Sequence, residues 1–170
     1  MRFLPLCLTL GLLLPVASAQ RGASIPPRIG VGFEATTALF AQDVIPTYPS
    51  LGLRGRVALP VNADVSLAAS VGVGAHLFEG RRETEYVVNP QVEVIVTLPE
   101  NRRGAIRYAF GGFGGFLPLD DGGGGPSLHG GYGWAIPLRE TSAFAEINPS
   151  IVIGESDVTP VIALRGGVIF

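Results

Sequence analysis

Apolar and polar residues alternate with a period of two along most of the chain beyond residue 27. In the last segment one face reads Val158, Pro160, Ile162, Leu164, Gly166, Val168, Phe170, and the other Thr159, Val161, Ala163, Arg165, Gly167, Ile169. Segment 84–98 sets Tyr86, Val88, Pro90, Val92, Val94, Val96 and Leu98 against Glu85, Val87, Asn89, Gln91, Glu93, Ile95 and Thr97. Segment 141–153 sets Ala143, Ala145, Ile147, Pro149, Ile151 and Ile153 against Ser142, Phe144, Glu146, Asn148, Ser150 and Val152. Successive side chains of a strand point to opposite faces, so the pattern predicts strands with one unbroken apolar face and one mixed polar face.

A repeat divides the pattern. Leu59-Pro60, Leu98-Pro99 and Ile136-Pro137 each end an apolar run and precede a few polar residues. Proline cannot donate to a ladder, so each pair marks a strand end at a tight hairpin. Three hairpins, one run before them and one after predict eight strands, at 28–39, 50–60, 64–78, 84–98, 104–117, 127–138, 141–153 and 158–170. The other connections, 40–49, 79–83, 118–126 and 154–157, are richer in Asp, Gly and Pro and on average longer. Short turns at one end and longer loops at the other are the habit of transmembrane barrels, and an even strand number puts both termini at the short-turn end.

The content of the polar face decides which side looks inward. A soluble barrel or sandwich turns its polar face to water, where charges should be plentiful. Here that face is diluted with Gly, Ala and Ser, as a cramped interior requires. At eight strands the interior is only wide enough to be filled by side chains. The expected fold is all-β, an eight-stranded antiparallel up-and-down transmembrane β-barrel with its apolar face outward. Trp134, Tyr108 and Phe170 lie near strand ends on the turn side and are expected to form an aromatic girdle. Pro90, Pro149 and Pro160 fall inside predicted strands, where each removes a ladder donor; bulges or strand portions beyond the bilayer would accommodate them.

The first residues have another character. Arg2, the apolar run Leu4 to Val16 and Ala17-Ser18-Ala19 form the n-region, h-region and A-x-A cleavage site of an export signal. Residues 1–19 are thus a signal peptide and 20–170 the barrel domain. The only cysteine, Cys7, lies in the h-region, so the mature chain has no disulfide or thiolate ligand. The 12 basic residues are all Arg, against 14 acidic ones, and no basic cluster suggests nucleic acid. Mean hydropathy is high at +0.40, yet nothing after Ala19 resembles a membrane helix.

With the cleavage site, eight alternating strands and the terminal Leu164-Arg165-Gly166-Gly167-Val168-Ile169-Phe170 in view, the chain resembles the small outer-membrane barrels of the OmpA/OmpX type. The resemblance covers the whole mature chain. It implies location in the cell outer membrane of a Gram-negative bacterium. It also implies recognition by the barrel-assembly machinery through a C-terminal strand ending in Phe170. Unlike in OmpA, no periplasmic domain is expected after Phe170, so the resemblance does not imply peptidoglycan binding.

Candidate chemistry lies on the inward face. Glu34, Arg54, Arg56, Glu93, Arg107, Glu146 and Arg165 are expected there, close enough to balance to pair as a plug, since buried charges must be paired. His76 and His129 are expected inward near the loop end. Ser127-Leu128-His129 places a hydroxyl and an imidazole on one strand face, as nucleophilic catalysis on lipid A would need, but it points away from the lipid. The histidines with Glu79, Glu83, Asp120 or Asp121 show no metal-ligand spacing. The Gly-rich stretches at 111–115, 122–125 and 130–131 are followed by no Lys and no helix, so they are not phosphate loops; in strands they relieve crowding. No residue is assigned a catalytic, cofactor-binding or metal role, and no cofactor is expected. The expected function is that of a monomeric barrel with a closed, side-chain-filled lumen and a structural or surface-interaction role. The alternatives are an outer-membrane lipid-modifying enzyme and a narrow passive channel.

Overall fold

The computed structural model describes residues 26–39, 49–76, 85–99, 104–119, 124–154 and 157–170. The expected signal at 1–19 and the acidic residues Glu79, Glu83, Asp120 and Asp121 lie outside them. Eight strands follow one another: β1 (Arg28–Ala38), β2 (Ser50–Pro60), β3 (Val65–His76), β4 (Glu85–Thr97), β5 (Ile106–Pro118), β6 (Gly125–Pro137), β7 (Ser142–Ile153) and β8 (Val158–Ile169). Each pairs antiparallel with its sequence neighbours, and β1 pairs with β8 to close the barrel. The up-and-down topology expected from the alternation is therefore what forms, with strand ends shifted by at most two residues.

Local chemistry explains the turns. Val61 N–H donates to the Val65 carbonyl at 2.8 Å, while Asn62 Oδ1 accepts from the N–H groups of Asp64 and Val65 at 2.9 and 2.8 Å. An Asn side chain standing in for a backbone acceptor closes the hairpin at 61–64. Leu138 N–H donates to Thr141 O at 2.8 Å across the hairpin at 138–141. The connection 98–105 is longer than the tight turn expected there, and it contains Gly104 at φ +71°, a left-handed conformation that favours glycine.

The register resolves the three prolines. Pairing of β4 with β5 jumps from Val88↔Leu117 to Gln91↔Gly114, omitting Asn89 and Pro90. Pairing of β6 with β7 jumps from His129↔Ser150 to Tyr132↔Ile147, omitting Asn148 and Pro149. In both cases the register is the same on either side, so the interruption is not a bulge. Pro160 lies one residue past the last β1–β8 pair, Ala38↔Val161, and its carbonyl accepts from Leu39 N–H at 3.0 Å. Each proline faces its missing donor toward the ladder that opens and stays in register with the other neighbour, at Val71, Ile162 and Ile151.

The two faces of the sheet differ completely. Phe33, Leu53, Val71, Val92, Phe113, Leu128, Ile151 and Leu164 all point outward and are exposed, Phe33 to 74% and Phe113 to 66%. A water-soluble surface rarely carries an apolar patch that encircles the molecule. The inward face buries charges, small residues and four aromatic rings. Each ring stands opposite a glycine: Tyr108↔Gly133, Phe110↔Gly131, Phe116↔Gly125 and Phe144↔Gly167. At Gly133 an added Cβ would lie 2.6 Å from Tyr108 Cε2, so the ring occupies the space that a side chain would need. Large residues packed across from glycines fill a narrow interior without strain.

This pattern corrects two assignments in β5. Tyr108 is buried and inward, in step with Phe110 and Phe116, and is no part of an outer girdle. Arg107, one residue away, therefore points outward, beside Trp134, and not into the lumen. Trp134 and Phe170 are outward as expected.

Candidate functional site: the lumenal charge cluster

Six charged side chains from five strands meet inside the barrel, and with Arg107 removed they balance as three Arg and three Glu. Alternation sends Glu34 (β1), Arg54 and Arg56 (β2), Glu93 (β4), Glu146 (β7) and Arg165 (β8) inward. Arg165 sits in register between Glu34 and Glu146, and the other ladder neighbours of the six are small, which gives them room. Arg54 sits between Gly32 and Gly72, and Glu93 between Ala68 and Gly112.

The six form one chain of alternating sign. Arg54 grips Glu34 in a two-point contact, Nε to Oε2 at 2.7 Å and Nη2 to Oε1 at 3.1 Å. Arg165 Nε donates to the same Oε2 at 2.5 Å, and its Nη1 lies 3.8 Å from Glu146 Oε2. Glu146 Oε1 accepts from Arg56 Nη2 and from the Tyr108 hydroxyl, the latter at 2.7 Å. Arg56 Nη1 then donates to Glu93 Oε1 at 3.3 Å, and its guanidinium lies 5.3 Å from the centre of the Phe144 ring. Neutral groups complete the cluster. Gln91 Oε1 accepts from Arg54 Nη1 at 3.2 Å and from Arg165 Nη2 at 2.9 Å, and Ser70 Oγ accepts from Arg54 Nη1 at 2.9 Å. Charge-assisted hydrogen bonds of this kind are the strong ones, and planar guanidinium groups suit them geometrically.

Toward the turn end the cluster stops at Arg56 and Tyr108. Beyond them is a cavity of about 700 Å³ with mainly apolar walls, among them Ala58, Ile95, Ile106 and Ala135. Toward the loop end, His129 Nε2 approaches Glu93 Oε2 at 3.4 Å without hydrogen-bond alignment.

The sequence-derived candidates sort as follows. Glu34, Arg54, Arg56, Glu93, Glu146 and Arg165 are brought together, and Arg107 is not. His76 and His129 are both inward and buried. Ser127 is buried on the same face as His129, but its hydroxyl has no hydrogen-bond partner, so hydroxyl and imidazole are not joined as a nucleophile and its base. Among the described residues no group of three or more His, Cys, Asp or Glu could hold a metal ion. Tyr108 and Gln91 are members that sequence reasoning missed. Gln91 lies on the face read as polar, two residues before Glu93, and that shared parity was the available signal.

No protein-family model and no curated protein matches the sequence. Solved structures match the fold. Neisserial surface protein A superposes with a TM-score of 0.69 at 10% identity, over 84% of this chain and 95% of that one. The N-terminal β-barrel domain of Pseudomonas aeruginosa OprF gives 0.53 at 15% identity, over 84% and 97%. Ail, the attachment invasion locus protein of Yersinia pestis, gives 0.52 at 11% identity, over 85% and 96%. At these identities the likeness concerns architecture. The chain has the fold of the small eight-stranded outer-membrane β-barrels.

Proposed function

We propose that the chain is an integral outer-membrane protein, exported by a cleaved signal, whose lumen is closed by its own side chains and whose role is structural or one of surface interaction. The observation that supports a closed lumen is the continuous Arg–Glu chain from Arg54 to Glu93, which runs from β2 through β1, β8 and β7, back to Arg56 of β2 and on to β4. Any conducting path would have to break ion pairs that are costly to leave unpaired in a low-dielectric interior. The apolar outer face supports insertion in lipid, and barrel closure leaves no unpaired sheet edge there. Phe170 continues the closure beyond β8, exchanging backbone hydrogen bonds with Ile29 at 2.8 and 3.3 Å. Its exposed ring suits it to recognition by the barrel-assembly machinery. The inward, unjoined Ser127 and His129 disfavour a lipid-modifying enzyme.

Two measurements test this reading. Folded protein should migrate faster than boiled protein on a gel and fractionate with outer membranes. In planar lipid bilayers it should show little or no steady conductance; large stable channels would overturn the closed lumen.

A further inference from the structure

On the outward positions of the eight strands the described residues include a single charged side chain, Arg107. It sits at the turn end of β5, in register with Trp134 of β6 on one side and bonded through its backbone to Leu98 on the other. One donor, Nη2, reaches the Pro99 carbonyl at 3.1 Å, while Nε is shielded and has no partner. An arginine has five N–H donors, so most of its capacity is unspent by these contacts. Trp134 is the only tryptophan of the chain, and it packs edge-on against Tyr132 with ring centres 4.8 Å apart.

Further along the same two strands the outer surface is low. In β5 the outward row continues with Ala109 and Gly111; across from them in β6 stand Tyr132 and Gly130, and Phe113 and Leu128 rise beyond as an opposed pair. Crowding does not demand these two glycines. A Cβ at Gly111 or at Gly130 would meet nothing nearer than 3.5 Å. This contrasts with inward Gly131, where an added Cβ would lie 2.5 Å from Phe110 Cζ. The small residues therefore leave a trough along β5, from Arg107 past Ala109 to Gly111 and Gly130, with the Tyr132 ring as its wall on the β6 side.

We infer that this face holds one glycerophospholipid molecule, with its phosphate on Arg107 and the Trp134 indole N–H and one acyl chain in the trough. The inference rests on the outer-membrane reading, which puts the turn end at a lipid–water interface. Three features support this occupant. A cation that is alone among the described outward residues of the strands calls for an anion. Guanidinium matches phosphate oxygens in a planar, two-point contact, and tryptophan favours the interfacial depth. A trough continuous with the cation fits a ligand that carries charge and hydrocarbon in one molecule.

Trp134 serves as its own reporter. Full-length folded protein in detergent micelles is titrated with phosphatidylglycerol brominated on its acyl chains, and Trp134 fluorescence is followed. Quenching should saturate, and unbrominated phosphatidylglycerol should reverse it. Arg107→Gln should raise the half-saturating lipid concentration about tenfold, the scale of one charge-assisted contact. Gly111→Leu with Gly130→Leu, which fills the trough and leaves the arginine in place, should also weaken binding and carries the test if the first variant folds poorly. Quenching that rises without saturation and equally in wild type and Arg107→Gln would overturn the site. So would displacement of the lipid by millimolar inorganic phosphate alone, which would make it an anion site with no use for the trough. If brominated vesicles leave Trp134 unquenched at every lipid ratio and the folded protein stays in the aqueous phase, the membrane reading fails along with the site.

Discussion

The same strands present two faces built on opposite rules. The inner face holds three Arg and three Glu within one ion-paired cluster, and the outer face of the described strands carries one Arg near its rim. Inside, a charge is tolerated because its partners are fixed around it. Outside, the one charge on the described strands stands at a strand end, where, on the proposed outer-membrane reading, a long side chain reaches the polar boundary along its own apolar stem. The difference shows that position along the barrel governs the outer face and pairing governs the inner one.

The strongest way to break the comparison is to remove one inner partner. Arg56→Met leaves Glu93 and Glu146 without their shared guanidinium and should destabilise the barrel by about 3–5 kcal/mol. Equilibrium urea unfolding in lipid vesicles measures this. Next is a charge on the outer face away from its rim. Val92→Arg, in the middle of β4, should cost about 2–4 kcal/mol in the same assay. A loss as small as that of a rim substitution would contradict the lipid-facing assignment of β4.

Two adjacent glycines sharpen the comparison at a single point. Gly131→Ala sets a methyl group against Phe110 and the Ile147 carbonyl and should cost about 1–3 kcal/mol by overpacking. Gly130→Ala, one residue earlier and outward, meets only the Phe110 carbonyl at 3.5 Å and should change stability by less than about 0.5 kcal/mol. Equal effects would mean that the two positions do not face opposite ways. The smallest effect is expected of Arg107→Leu, within about 1 kcal/mol, since a cation near the interface costs little to keep or to lose. Its consequence should appear in lipid binding and hardly at all in unfolding.

Most of the architecture could be read from residues alone. Alternation in β4, β7 and β8 was regular because each has polar groups on one parity only: Glu93 and Gln91, Glu146 and Asn148, Arg165 and Thr159. Such a strand has a single assignment of faces in which its apolar side is continuous, and the proline-ended runs mark where it stops. The candidate cluster was legible for the same reason, six of its seven expected members being in place.

β5 is where that reading failed. Its sequence from Ile106 to Phe116 has aromatics at 108, 110, 113 and 116 and glycines at 111, 112, 114 and 115. Phe110 and Phe113 fall on opposite parities, and glycine is neutral to both. The one charge, Arg107, pulled the assignment toward the wrong phase. Pairing supplies what local pattern lacks: Gly112 must face Glu93 and His129, and Gly133 must lie beneath a ring, which sends Tyr108 inward and Arg107 outward.

Periodicity is a property of single strands, and it was enough to establish eight strands and the apolar belt, while the proline-ended runs marked the hairpins between them. Which arginine meets which glutamate, why three prolines sit within strands without bulges, and how Arg107 comes to stand beside Trp134 depend on register between strands. Register is a relation across the closed sheet, set by how side chains of different strands share one narrow interior, and no single segment carries it.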